Sequence, residues 1–75
     1  MAYEDVEFYD VDSSNIASIG YDGEEMVLYV TFNSGRTYWY SDVPYGVWEG
    51  FLSAPSMGKY FHQNIRNVYA YGQMS

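Results

Sequence analysis

The sequence predicts a small α+β domain: a three-stranded antiparallel β-meander covered on one face by two short C-terminal helices. Whether the sheet has an additional edge strand is left undecided. Three observations favour this fold class. The stretch 26–41 alternates residue types on both sides of an Asn-Ser-Gly turn, which is typical of a β-hairpin. From residue 42 onward the apolar residues adopt helical spacing. A length of 75 residues allows only one domain.

The first predicted strand, Ile16–Tyr21, is short and contains a glycine. Because successive side chains of a strand alternate, Ile19 and Ile16 are expected on opposite faces. Gly20 predicts a bulge or a close approach of another backbone. The following Asp22-Gly23 pair is a strong signal for a tight turn.

The second and third predicted strands, Met26–Phe32 and Arg36–Ser41, form the central hairpin around Gly35, the expected positive-φ residue. One face of the second strand is assigned to the core: Leu28, Val30 and Phe32. On the third strand, Tyr38 and Tyr40 share one face, and Thr37 and Trp39 share the other. Alternation predicts that one of these sets is packed and the other exposed, but it leaves open which.

Two helices are expected after the hairpin. Asp42 is the predicted cap of the first, Pro44 lies in its first turn, and Ala54-Pro55 ends it. Its predicted apolar arc contains Val47, Trp48, Phe51 and Leu52. Ser56 is the predicted cap of the second helix. Its core stripe is predicted as Met57, Phe61, Ile65 and Val68, and its opposite face as Lys59, His62, Gln63 and Arg66.

The predicted organisation is an acidic leader over residues 1–10, a single domain over 11–71 and a tail over 72–75. Residues 67–71 either fray or return as a short strand beside the sheet. Residues 1–12 contain five of the ten acidic residues. These carboxylates are one candidate docking segment for a basic partner: Glu4, Asp5, Glu7, Asp10 and Asp12.

Charge and composition narrow the function classes. The formal net charge of −7 repels polyanions and argues against non-specific nucleic-acid binding. The sequence has no cysteine, which excludes disulfides and a cysteine nucleophile. No apolar run is long enough to span a bilayer, so we expect no membrane association and a cytoplasmic location, in the host if the chain is phage-encoded.

Catalytic and metal motifs are not found in the sequence. His62 is the only histidine and is interpreted as a helix-face residue. The stretch from Asp10 to Ser14 resembles the start of a calcium loop but lacks the glycine and the distal glutamate that such a loop needs. The sequence therefore predicts no enzyme activity, no cofactor and no metal site.

An ordered series of motifs resembles the KTSC domain family across residues 11–71. The matching residues are Ser13-Ser14-Asn15-Ile16, Ile19-Gly20-Tyr21-Asp22, Gly35, Tyr38-x-Tyr40, Val43-Pro44, Ser56-x-Gly58-Lys59-Tyr60-Phe61 and Ile65-Arg66. The resemblance implies a small bacterial or phage protein, or a C-terminal appendix of a lysyl-tRNA synthetase. It also implies RNA as a candidate ligand. The sequence departs from the family pattern at His62, where asparagine is expected.

Three functions are predicted in order of preference. The first is a non-catalytic, acidic protein-interaction domain, in one form phage-encoded and acting on a host protein. The second is RNA or tRNA binding through the tyrosine pair and the Lys59/Arg66 strip. The third is a DNA mimic that inhibits a nucleic-acid-handling enzyme. The candidate binding residues are Tyr38, Trp39, Tyr40, Lys59, His62 and Arg66; the partner and the oligomeric state are left open.

Overall fold

The computed structural model describes residues 6–74 as one antiparallel sheet with two helices on one face. The strands lie in the sheet in chain order: β1 (Phe8–Asp10), β2 (Ile16–Asp22), β3 (Val27–Phe32), β4 (Thr37–Tyr40) and β5 (Tyr71–Gln73). The helices α1 (Tyr45–Ser53) and α2 (Met57–Asn64) connect β4 to β5. The α+β class is confirmed, and the central hairpin is β3–β4.

The sheet has five strands, two more than the predicted three-stranded meander, and both alternatives that the sequence left open are present: an edge strand before β2 and a return of the chain to the sheet after α2. Strand β5 pairs with β4, and the amide of Met74 donates to the carbonyl of Thr37 at 2.7 Å. Strand β1 lies within the predicted leader, and β5 reaches into the predicted tail. Strands of three residues contain too little alternation to be predicted firmly, so the sequence supports them only as alternatives.

The core lies between the sheet and the helices. Leu28 and Val30 of β3 are fully buried, as predicted, and Phe32 packs half-buried against them. Ile16 and Ile19 are both fully buried, which contradicts the prediction that they lie on opposite faces. The register between β2 and β3 shifts after Ile16, so a bulge adds one residue and returns the next isoleucine to the core.

Helix α1 begins later than predicted. Its N-cap is Pro44 and no side chain caps it, whereas Asp42 is exposed with a φ of 58° and is not the cap. Trp48 and Phe51 are buried, but Leu52 faces solvent. The buried stripe is narrower than the predicted arc because a helix that covers one side of a small sheet contacts it along one line.

Helix α2 has the predicted cap, since the Ser56 hydroxyl accepts the Lys59 amide at 3.4 Å. It ends at Asn64, which leaves Val68 outside the helix and 58% exposed, so assignment of Val68 to the core was wrong. The helices pack closely: Tyr60 donates to the carbonyl of Val47 at 2.9 Å, and a β-carbon at Gly50 would collide with the same tyrosine.

The sheet face away from the helices has its own aromatic packing. The Phe8 and Tyr29 ring centroids lie 6.1 Å apart, and the Trp39 indole lies against Gly72 of β5. Within residues 6–74, neither helix is long or apolar enough to cross a bilayer.

Candidate ligand-binding site

A cavity of about 420 Å³ opens beside the C-terminal end of α2, over the helix-facing side of β3 to β5. Its aromatic lining consists of Phe32, Tyr38, Tyr40, Phe61 and Tyr71. Its polar lining consists of Asn15, Ser34, Arg36, His62, Arg66 and Asn67. A volume of this size is within the usual range for small-ligand pockets.

The aromatic lining is a set of interlocked rings. Phe61 meets Phe32 and Tyr40 edge-on, with both pairs of centroids 5.5 Å apart, and Tyr40 stacks on Tyr71 at 5.8 Å. Edge-on and stacked pairs are the arrangements that aromatic quadrupoles prefer. The rings therefore hold one another in place and provide a preformed apolar wall.

Strand alternation explains which tyrosines line the cavity. Tyr40 pairs with Leu28 across the sheet and Tyr38 pairs with Val30, and residues directly opposite each other share a face. The tyrosine pair therefore faces the helices. Tyr40 is 4% exposed and belongs to the core, whereas Tyr38 is half-buried and its ring reaches the cavity. The question left open by the sequence is thereby answered, and Trp39 lies on the other face.

Helix α2 and the turn after it supply the basic rim. Arg66 and His62 lie one helical turn apart, and the Arg66 Nη1 donates to His62 Nδ1 at 3.3 Å. The Arg66 amide donates to the carbonyl of Phe61, five residues back, at 2.9 Å, and Asn67 then takes a φ of 64°. This wide turn ends the helix and keeps Arg66 beside the rings.

A second arginine reaches the rim from the β3–β4 turn. Gly35 adopts the predicted positive φ, at 95°, and the Phe32 amide donates to the carbonyl of Arg36 at 2.9 Å. Two of the three lysine and arginine residues of the chain thus line one cavity, and among residues 6–74 no aspartate or glutamate does. In a chain of net charge −7, this cavity is a local concentration of positively charged side chains.

Burial in the ring cluster raises the pKa of Tyr40 to about 12, with smaller contributions from Tyr38 and Tyr71, while the Arg66 guanidinium acts in the opposite direction. The unfolded chain therefore loses this proton first, near pH 10. The contribution of neutral Tyr40 to the free energy of unfolding is therefore fully present below pH 10 and is lost as the pH rises towards 12.

We expect Tyr40→Phe to lose less stability than the wild type between pH 10 and 12, because it removes the ionisation that favours unfolding. Urea unfolding at several pH values, followed by circular dichroism, measures this slope. An identical alkaline decline in both proteins would contradict the assignment to Tyr40.

The structure brings together four of the six candidate binding residues: Tyr38, Tyr40, His62 and Arg66. Lys59 is exposed in the first turn of α2 and does not line the cavity. Trp39 is on the opposite sheet face. Of the candidate docking acids, Glu7, Asp10 and Asp12 are exposed, and Glu4 and Asp5 lie outside the described residues.

Sequence reasoning missed several cavity residues, of which Arg36 is the most informative. It is one of three basic residues and directly follows the turn glycine, so its charge was a usable signal. Asn15 and Asn67 gave no signal beyond a preference for turns.

At the β2–β3 turn, the Asp22 carboxylate accepts hydrogen bonds from the amides of Glu24 and Glu25 at 3.1 and 3.3 Å, so this carboxylate stabilises the turn.

Comparison with known proteins agrees with the motif series. A family model described as the KTSC domain matches residues 12–69. The chain belongs to the KTSC domain family. A crystal structure of a KTSC domain protein from Yersinia pestis superposes on this KTSC domain with a TM-score of 0.91 and 33% identity, covering 93% of this chain and 99% of the other.

Relatives include both small proteins and much longer ones. A protein of Stutzerimonas stutzeri is 43% identical over 53 residues, which are 71% of this chain and 75% of that protein. A lysine–tRNA ligase of Trichormus variabilis is 38% identical over 64 residues, which are 85% of this chain and 11% of the ligase. This KTSC domain therefore spans only a small part of that ligase.

Proposed function

We propose that this KTSC domain is a non-catalytic binding module whose cavity takes one nucleotide unit of single-stranded RNA. The observation that carries the proposal is the composition of the cavity, which combines an aromatic wall with Arg36 and Arg66 and contains no acidic side chain from the part of the chain that the structure describes. Single-stranded RNA is recognised by bases placed against aromatic rings and by cations placed against phosphates.

The proposed roles follow from exposure. Tyr38 and Tyr71 are the accessible tyrosines of the wall, so a base is expected to contact them, while buried Tyr40 supports them from below. The exposed guanidiniums of Arg36 and Arg66 suit a phosphate, since arginine can donate two parallel hydrogen bonds to it. The lysine–tRNA ligase relatives, whose name includes a tRNA, support this ligand class.

The net charge limits how such a ligand binds. Ten acids repel the rest of an RNA strand, so the affinity is expected to depend on the cavity rather than on an extended basic surface. Binding is expected to weaken with salt, with a shallow slope because few phosphates are neutralised.

Titration of a short fluorescent single-stranded RNA at low salt tests the proposal. Arg66→Gln is expected to weaken binding about tenfold, because one charge-assisted contact to phosphate is lost. Lys59→Gln is the matched control: it removes one positive charge from α2, outside the cavity, and is expected to retain the wild-type affinity. Equal losses in both variants, or no binding by the wild type, would exclude the RNA function.

Tyr40→Ala is unsuitable as a test of RNA binding, because Tyr40 is a core residue and its loss would disturb the fold. Tyr38→Ala is the better aromatic variant, since this ring is half-buried and lines the cavity.

The other functional predictions involve surfaces outside the cavity. Three of them stay predictions: that the chain is an acidic protein-interaction domain, that it is phage-encoded and acts on a host protein, and that it mimics DNA. The protein-interaction prediction gains support from exposed aromatic side chains near carboxylates on the side formed by β1 and α1.

A further inference from the structure

A second exposed surface lies where Trp48 of α1 meets Tyr9 of the edge strand β1. We call it the acidic aromatic surface, and it consists of Glu7, Tyr9, Tyr45, Glu49 and Leu52. Tyr9 is 47% exposed, Tyr45 is 59% exposed and Leu52 is 47% exposed. Large apolar side chains that are exposed together commonly mark an interaction site.

The α1 residues of this surface share one helix face, and the buried ring of Trp48 connects that helix to Tyr9 of β1. Tyr45, Glu49 and Leu52 follow one another at four and three residues along α1, so they share a helix face. Trp48, on the same part of the helix, lies with its ring centroid 6.2 Å from that of Tyr9 and thereby joins α1 to β1.

The support beneath the surface is rigid. The Trp48 ring also stacks on Tyr21 of β2 at 5.4 Å with an interplanar angle of 11°. The Tyr21 hydroxyl donates to the carbonyl of Val43 at 2.6 Å, and its ring centroid lies 6.1 Å from that of Tyr45. The exposed rings therefore rest on packed, hydrogen-bonded neighbours, so that little ordering would be required when a partner binds.

The charges of this surface are negative. Tyr9 donates from its hydroxyl to Glu7 Oε1 at 2.6 Å, which holds a carboxylate at the edge of an exposed ring. Glu49 is exposed between Tyr45 and Leu52 on the helix. Arg36 and Arg66 line the cavity rather than this surface.

We propose that the acidic aromatic surface docks an arginine-containing basic segment of a partner protein. A guanidinium can lie flat on an exposed tyrosine ring and bond to an adjacent carboxylate, and this surface offers that pairing around Tyr9 and around Tyr45. Leu52 provides apolar contact beside them. The proposal concerns a different surface and a different partner class from the RNA function and does not depend on it.

Calorimetric titration with synthetic peptides tests the proposal on the full chain. The probe is an arginine–alanine peptide, with lysine–alanine and glutamate–alanine peptides of the same length for comparison. The arginine peptide is expected to bind about fivefold more tightly than the lysine peptide, because lysine lacks the planar group that stacks on tyrosine. The glutamate peptide is expected not to bind.

Variants locate the binding. Tyr45→Ala and Glu49→Gln are each expected to weaken arginine-peptide binding about fivefold to tenfold. Val68→Ala is the matched control, since Val68 is similarly exposed and belongs to neither site. Amide NMR spectra of each variant check that the fold is retained. The affinities of the folded variants are then compared with that of the wild type.

Equal affinity for arginine and lysine peptides, or wild-type affinity in folded Tyr45→Ala, would overturn the proposal. So would sedimentation that shows a dimer of the chain which Tyr45→Ala converts to a monomer. RNA titration of the same variants separates the two proposals. A variant that loses only peptide binding is altered in the acidic aromatic surface, and a variant that loses only RNA binding is altered in the cavity.

Discussion

Phe51→Ala is expected to lower the free energy of unfolding by about 3–5 kcal/mol, the usual range for removal of a fully buried phenylalanine. Phe51 is completely buried in the core and its ring stacks on Tyr60 at 5.6 Å. Removing it leaves a cavity between the two helices and the sheet. Stability of about 0.05–0.15 kcal/mol per residue implies roughly 4–11 kcal/mol for a chain of this length, so the loss is a large fraction of the total.

The neighbouring residue provides a control. Leu52 follows Phe51 in the same helix but is exposed, so Leu52→Ala is expected to change stability by no more than about 0.5 kcal/mol. Urea unfolding followed by far-ultraviolet circular dichroism measures both variants. Similar unfolding midpoints for the two would contradict the placement of the core against this side of α1.

Gly72→Ala is expected to lower the free energy of unfolding by about 1–3 kcal/mol and to loosen β5, because the added methyl group overfills a closed space. A β-carbon at Gly72 would lie 2.5 Å from Cζ2 and 2.6 Å from Cε2 of Trp39. These atoms belong to a rigid indole, so either the ring or the strand must move. Strand β5 also carries Tyr71, hence the cavity is expected to lose part of its aromatic wall.

Hydrogen exchange measured by NMR checks this prediction, with faster exchange expected for the amides that pair β5 with β4. RNA affinity is expected to fall in the same variant. Gly23→Ala is the control, because a β-carbon there meets nothing closer than 3.8 Å and is expected to leave β5 unaffected. Unchanged exchange in β5 with Gly72→Ala would show that the indole can move without disturbing the strand.

The elements with strong local signals were predictable. The alternation from Val27 to Phe32 and the glycine at position 35 identified the central hairpin, and Ser56 identified the start of α2. The short strands β1 and β5 were predicted only as open alternatives, an extra edge strand and a return of the chain to the sheet, because three residues do not establish a period and their pairing depends on partners distant in the chain.

The candidate site was predictable only in part, for the same reason. Tyr38, Tyr40, His62 and Arg66 were identified as residue types suited to binding, and they do line one cavity. Lys59 was predicted on the same polar helix face as Arg66, but it is exposed on α2 outside the cavity. Arg36 comes from a different turn, so nothing local indicates that it lies on the same rim as Arg66.

The sequence by itself determined the fold class, the central hairpin and family membership, because these depend on side-chain periodicity, turn chemistry and an ordered series of motifs. Only the tertiary structure decided which face of β4 is buried, that β5 is the edge strand beside β4, and that two arginines share a cavity that no acidic side chain of residues 6–74 lines. Each of those facts depends on contacts between segments far apart in the chain, where packing and register, rather than local preference, set the outcome.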